Sequence, residues 1–272
     1  MLNPKLAALI HAPNANDNKY TRGVVGLVVG SEEFPGAAIL AVTAAIRAGI
    51  GMARYVGPER IASELLPKRP EVVLAEGLAD AWVFGCGVDP IRSTEQAAHI
   101  TAIASTAKFI VADAGALSLI DFASLSGRAI LTPHAGELER LFVRLGAPLS
   151  SAEIAADPAG AALAAARLTG QVVLLKGSLT QIVSPSGEVR GIGPNSTALA
   201  TAGTGDVLAG LLGALLAANA PALAEGTADL MDIAELAVMV HSRAAEEAHK
   251  RGPVAALDVA EGIRSVMGEL GA

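Results

Sequence analysis

The chain has 272 residues, of which 52% are hydrophobic and only 17% charged, with a formal net charge of −7. That length buries a large core without disulfide or metal staples, and the acidic balance argues against nucleic acid as the main partner. A single cysteine, Cys86, excludes an intramolecular disulfide framework and fits a reducing compartment.

No apolar run reaches the ~18 residues expected of a membrane helix. The stretch 1–10 lacks the length and flanks of a secretory leader, so a cytoplasmic protein is expected. Asn195-Ser196-Thr197 has the form of a glycosylation acceptor, which carries no meaning without a leader.

Taken in order, Val24 to Gly30 is a continuous apolar run, as expected of a strand buried on both faces. The turn 31–36 leads to a helix over 37–48, closed by Gly49. A second strand is expected over 51–56, and Pro58 opens a short helix carrying 60–65. Strands are expected at 72–74 and 82–84, a helix over 91–105, and a strand at 109–112 ending on Asp113. The same pattern repeats at 129–131, which ends at Thr132-Pro133-His134. Helical stretches follow near 136–144 and 151–169, then a strand at 172–175 that stops at Lys176-Gly177. Segments 181–183 and 188–190, with Pro185-Ser186-Gly187 between them, read as a hairpin. The remainder is three helices: one after Gly205, one around 231–250 and one over 258–270.

Alternating strands and helices imply an α/β fold, a mostly parallel sheet with helices on both faces. The pattern does not separate an open doubly wound sheet from an eight-stranded barrel. With no repeat, low-complexity segment or linker, residues 1–272 read as one domain. Polar residues gather where strands end, which is where open α/β sheets bind ligands.

The stretch from Asn195 to Gly210 stands out. Gly203 and Gly205 remove the Cβ atoms that keep a ligand from the backbone. The apolar helix that follows places its free amides and positive dipole end at this turn, which suits a phosphate. Asp206 is out of place at an anion site unless it takes a proton from a hydroxyl while the amides hold the phosphoryl group; alternatively it caps the helix.

Other segments carry weaker signals. Lys176-Gly177-Ser178-Leu179-Thr180 ends a strand with a cation and two hydroxyls, fitting either phosphate binding or a hairpin turn with a solvated lysine. His134 and Glu137 flank a helix start, where a histidine donates to substrate or simply bonds the backbone. Asp113 binds substrate or, more commonly for such a position, caps the segment 116–119. His241, among Ala237, Val238 and Ala245, reads as packing. Gly85-Cys86-Gly87 is half of a dinucleotide fingerprint, the P-loop pattern is absent, and no cysteine or histidine cluster proposes a transition metal.

In combination these segments are far more specific. From about Lys19 to Val259 the chain resembles the ADP/ATP-dependent NAD(P)H-hydrate dehydratases of the ribokinase-like superfamily. Thr132-Pro133-His134-Ala135-Gly136-Glu137 is similar to the family's Thr-Pro-His-Pro-Gly-Glu, and Leu175-Lys176-Gly177 to its Leu-Lys-Gly. Asn195 and the run Ala200 to Gly210 match its hallmark, and Pro35 to Ala41 is similar to its first substrate loop. Three segments depart from the pattern: Lys19 to Gly23, Gly85 to Asp89, and Asp113 to Leu117, where glycine replaces a second aspartate. All three are expected on the substrate side.

The resemblance implies a single-domain three-layer sandwich and a repair reaction. A nucleotide phosphorylates the hydroxyl of hydrated NADH or NADPH, and loss of phosphate restores the reduced cofactor. It implies Asp206 as base, and Lys176, Gly177, Ser178, Leu179, Thr180, Asn195, Gly203, Thr204 and Gly205 around the nucleotide. Ala37, Gly87, His134 and Asp206 would line the pocket of the damaged cofactor. ADP is expected over ATP, arriving with Mg²⁺, in a homo-oligomer. The length leaves no room for the family's separate epimerase domain, so none is expected. Two rivals remain: a ribokinase-like kinase that phosphorylates a small alcohol and stops, and a silent nucleotide-binding protein.

Overall fold

The apolar run from Val24, expected to be buried on both faces, forms a strand buried at every position from Val24 to Val28. A computed structural model describes residues 3–272; Met1 and Leu2, at the start of the stretch read against a leader, lie outside the described residues. In chain order the elements are α1 (Pro4–Ala7), β1 (Val24–Val28), α2 (Pro35–Arg47), β2 (Met52–Tyr55), α3 (Glu59–Leu65), β3 (Ala81–Phe84), α4 (Thr94–Ala104) and β4 (Phe109–Ala112). Then come α5 (Ala116–Leu119), β5 (Ala129–Leu131), α6 (Ala135–Arg144), α7 (Ser151–Ala156), α8 (Pro158–Thr169), β6 (Val172–Leu175), β7 (Thr180–Val183) and β8 (Val189–Ile192). Helices α9 (Thr204–Ala218), α10 (Ala220–Ala224), α11 (Leu230–His249) and α12 (Ala256–Leu270) complete the chain. Short 3-10 turns lie at Phe122–Leu125 and Thr197–Leu199.

One sheet holds all eight strands in the order β2-β1-β3-β4-β5-β6-β7-β8. The pairs from β2 through β6 are parallel, whereas β7 runs antiparallel to β6 and β8 antiparallel to β7. The sheet is open, with β2 and β8 at its edges, so the barrel alternative falls away. Side chains alternate between two apolar layers: Val83 and Val111 enter one with α2, α9, α11 and α12, while Trp82 and Ile110 enter the other with α4, α6 and α8. Each fully buried Leu or Val in these layers contributes about 1.5–3 kcal/mol.

Alanine and glycine abundance has a packing reason. Helix α9 is buried along most of its length between α2 and the sheet. A Cβ at Gly210 would overlap the Ala41 carbonyl, so the two helices touch backbone to backbone.

Several boundaries differ from the sequence reading. Residues 72–74 form no strand; only an isolated bridge joins Val73 to Arg54 beside the edge strand β2. The helix expected over 91–105 starts at Thr94, because Asp89 Oδ1 accepts from the amides of Ile91 and Arg92 and holds them in a turn. The stretch 151–169 divides at Asp157-Pro158, where proline drives the preceding residue out of helical geometry and Asp157 caps α8 through Gly160 N. Helix α2 begins two residues early, on Pro35, whose missing N–H costs nothing at a first helical position.

Candidate active site

The strand order reverses at β1, whose neighbours β2 and β3 lead away in opposite directions. Such a switch point leaves a crevice at the C-terminal strand ends. The crevice here is tied across by Gly30 N donating to Cys86 O at 2.7 Å and Gly85 N donating to Val28 O at 3.1 Å. Gly87, at φ +63°, lies so close to α2 that a Cβ there would stand 2.6 Å from the Ala37 Cβ. Two expected substrate residues are therefore neighbours.

Helix α9 points its N-terminus at the same region. Gly203 caps it in the left-handed region at φ +92°, with Leu40 filling the space that a side chain would need. The Thr204 hydroxyl donates to the carbonyls of Leu199 and Thr201, at 2.9 and 3.0 Å, and so fixes the turn. Asp206 sits in the first helical turn without making a capping bond.

An ion cluster at the ends of β4, β5 and β6 surrounds that carboxylate. Lys176 Nζ donates to Asp113 Oδ1 at 2.7 Å and stands 3.5 Å from Glu137 Oε2. The Thr132 hydroxyl donates to the same Asp113 oxygen at 2.8 Å. Lys176 Nζ also borders the glycine turn, 3.4 Å from where a Gly205 Cβ would be. Burial works against the ammonium charge, but Asp113 and Glu137 outweigh it and hold the Lys176 pKa above its ordinary value. Burial, then Asp113, push the Asp206 carboxyl up to about 7; Lys176 opposes the rise and Glu137 adds to it.

This corrects two expectations. Lys176 is paired in the interior and is not a solvated turn residue. Asp113 does not cap the segment 116–119: the cap position is Gly115, without a side-chain bond, and Asp113 serves Lys176 and Thr132 instead.

Two cavities meet at the glycine turn. The larger, about 1060 Å³, is lined by Ala37, Gly87, Gly203 and Asp206 together with Phe34, Glu137, Arg140 and Arg144. The smaller, about 440 Å³, is lined by Lys176, Gly177, Ser178, Thr180, Asn195, Thr204 and Gly205, with Ser196, Thr197 and His241. Consecutive residues of one turn thus face different chambers.

Among the expected nucleotide residues, Leu179 does not line the smaller cavity and is half exposed, while Gly203 faces the larger one. Asn195 braces the turn after β6, its Nδ2 donating to Gly177 O at 2.9 Å and to the Thr180 hydroxyl at 2.8 Å. His134 stands outside the larger cavity's lining; its Nδ1 accepts from the amides of Gly136 and Glu137, while Glu137 accepts from His134 N in return. That reciprocal cap orients α6.

Sequence reasoning passed over Phe34, Arg140 and Arg144. The signal for the arginines is the spacing 137, 140, 141 and 144, one face of a helix. His241 is buried as packing requires, but it also borders the smaller cavity with Nε2 unpartnered, and burial pushes its imidazole down to about 4.

Cys86, Asp113 and Asp206 place a thiol and two carboxylate oxygens within 4.8 Å of one another. The set does not suit a resident magnesium ion, which takes oxygen ligands in near-octahedral array. The bonded Asp113 oxygen already serves Lys176 and Thr132, and burial holds the Cys86 thiol protonated, well above its ordinary pKa.

An open sheet of this order, with a phosphate-ready helix N-terminus that carries a carboxylate in its first turn, defines the ribokinase-like class of α/β sandwich. Residues 25–264 match the family model described as NAD(P)H-hydrate dehydratase, and the chain belongs to that family. The ADP-dependent (S)-NAD(P)H-hydrate dehydratase of Xanthomonas campestris is 33% identical over 262 residues, spanning 88% of this chain and 85% of that protein. The bifunctional NAD(P)H-hydrate repair enzyme of Corynebacterium glutamicum is 39% identical over 221 residues, 75% of this chain and 37% of that one. The chain spans less than half the length of the bifunctional relatives it matches. The crystal structure of the ADP/ATP-dependent NAD(P)H-hydrate dehydratase of Bacillus subtilis, co-crystallised with ATP and Mg²⁺, superposes with a TM-score of 0.82 at 28% identity, covering 97% of this chain and 96% of that one. Among the described residues, no helix is long and apolar enough to cross a membrane.

Proposed function

We propose that this chain repairs hydrated NADH or NADPH, using ADP to remove the added water. The observation that carries the reading is the position of Asp206: on the wall of the larger cavity, one residue from Gly205 in the smaller, with its carboxyl pushed up to about 7. A base with that pKa is half-ionised near neutrality, where it accepts a proton most usefully.

The damaged cofactor occupies the larger cavity, beside Ala37 and Gly87, with its unwanted hydroxyl toward Asp206. ADP, carried in with Mg²⁺ on its phosphates, occupies the smaller cavity beside Lys176, Ser178 and Thr180. Asp206 takes the hydroxyl proton as the oxygen attacks the terminal phosphoryl group, and AMP leaves. Amides of the turn 203–205 hold the transferring group, each such donor lowering the barrier by about 3 kcal/mol. Loss of phosphate from the new ester, together with a proton from the adjacent ring carbon, then restores the ring double bond, because phosphate departs far more readily than hydroxide. Lys176, fixed by Asp113 and Glu137, supplies positive charge next to Gly205 throughout.

The test mixes the protein with NADH hydrate, Mg²⁺ and either ADP or ATP, and follows the reduced-nicotinamide absorbance. Recovery with ADP supports the reading. A stable phosphoester without recovery would instead make the protein a kinase, and binding without turnover would make it silent.

A further inference from the structure

Helix α6 turns one stripe toward the larger cavity: Glu137, Arg140, Leu141 and Arg144. Apart from Asp206, the acids lining that cavity have cationic partners. Glu33 pairs with Arg92, which also stands 3.9 Å from Asp89, and Glu137 faces Lys176. The two arginines have none: among the described residues, neither Arg140 nor Arg144 has a carboxylate within 4.0 Å.

Their states differ in a useful way. Arg144 donates to the carbonyls of Leu117 and Ile120, at 2.7 and 2.6 Å, which locks its guanidinium against α5 and leaves further N–H groups unused. Arg140 is exposed and its side chain makes no hydrogen bond among the described residues; its Nη1 turns toward the start of α6, 3.8 Å from where a Gly136 Cβ would be. Two guanidiniums one turn apart, with no carboxylate within 4.0 Å among the described residues and only Asp121 acting on Arg144 from further away, concentrate positive charge on the wall of a cavity that contains Asp206, in a chain of net charge −7.

We infer that Arg140 and Arg144 anchor the pyrophosphate bridge of a dinucleotide in the larger cavity, which makes the protein select dinucleotides over phosphate-free nicotinamide ribosides. The inference rests on the function proposed above and supplies the handle that seats the reacting ring at Asp206. A cavity of about 1060 Å³ has the room, just above the ~300–1,000 Å³ common for ligand clefts. Paired guanidiniums match the spacing of phosphate oxygens with forked hydrogen bonds.

The experiment uses Arg140→Ala, since Arg144 also holds α5 and its removal risks the fold. With the smaller cavity saturated by AMP, NADH binding is followed by its fluorescence. Wild type binds NADH, and the variant binds it about tenfold more weakly, with AMP affinity unchanged and partial recovery in Arg140→Lys. In turnover, KM for NADH hydrate rises about tenfold while kcat stays within about twofold. Binding of dihydronicotinamide riboside, which has no phosphate, stays unaffected. Unchanged NADH affinity in the variant, an equal loss with the riboside, or no NADH binding by wild type overturns the inference. A loss confined to NADPH reassigns the arginines to its 2′-phosphate and also overturns it. Failure of the proposed function is a separate result: wild type binds NADH through Arg140 but recovers nothing from the hydrate.

Discussion

The two cavities on either side of the glycine turn are built differently. The smaller is made of main-chain turns and hydroxyls, with a single ammonium, Lys176, and a neutral buried imidazole, His241. The larger lies at the switch point, opens between α2 and α6, and mixes acids, arginines and exposed apolar groups such as Phe34. The smaller is assembled largely from segments that match the family's pattern, whereas Gly87 to Asp89 and Ala114 to Leu117 of the larger lie in two of the three departing segments. The third, Lys19 to Gly23, was expected on the substrate side but lies at the other end of α9, with Gly23 against Ala217 and Arg22 bonded to Gly49. A chamber formed by backbone amides binds what every nucleotide shares, whereas a chamber formed by side chains changes its ligand with each substitution.

The sharpest test of that division is Asp206→Asn. It lowers turnover by about a thousandfold, within the range for loss of a general base, and leaves AMP affinity intact; calorimetric titration with AMP alongside the absorbance assay checks both. Lys176→Met should act on the opposite side, weakening ADP binding and cutting turnover by about a hundredfold while NADH still binds. Its circular dichroism must be recorded as well, because Asp113 and Glu137 lose their partner. Gly87→Val is smaller in effect. Its side chain would enter the space of Ala37, raising KM for the hydrate about tenfold and sparing AMP affinity, unless the two chambers are more tightly coupled than their linings suggest.

Two pH experiments probe the shared wall. Activity should rise with pH through about 7 as Asp206 ionises. Asp113→Asn removes a negative neighbour that raises this pKa, so the acid limb moves down by about one pH unit. Rate profiles of the two proteins decide it, and an unmoved limb would detach Asp113 from Asp206. The same raised pKa has a stability consequence of definite sign. Below the unfolded value of 3.8 the carboxyl is protonated in both states and costs nothing; between 3.8 and about 7 the unfolded chain ionises while the fold keeps the proton, so the penalty grows across that window and is constant above it. By chemical denaturation, Asp206→Asn should therefore be more stable than wild type at pH 8, by about 2 kcal/mol after allowance for partial exposure, and match it near pH 3.

Much of this was legible along the chain. Apolar runs announced strands at 24–28, 109–112 and 172–175, the first of them as buried on both faces, since a parallel sheet covered on both sides has no polar side to display. The Gly-Thr-Gly-Asp run announced a helix start suited to phosphate, because the need for a missing Cβ and free amides is local. Residues 72–74 misled for a similar reason: three apolar residues carry too little periodicity to separate a strand from a bridge at a sheet edge.

What the sequence determined by itself was therefore the period of each segment and the identity of its turn residues, both set by neighbours a few positions away. The tertiary structure decided which charges meet. Lys176 and Asp113 are 63 residues apart in sequence, and only the adjacency of β4, β5 and β6 brings them to 2.7 Å. The same assembly turned His134 into a helix cap, placed Arg140 and Arg144 on a cavity wall, and gave Asp206 its raised pKa. Burial and charge pairing depend on the order of strands in a sheet, and no local pattern encodes that order.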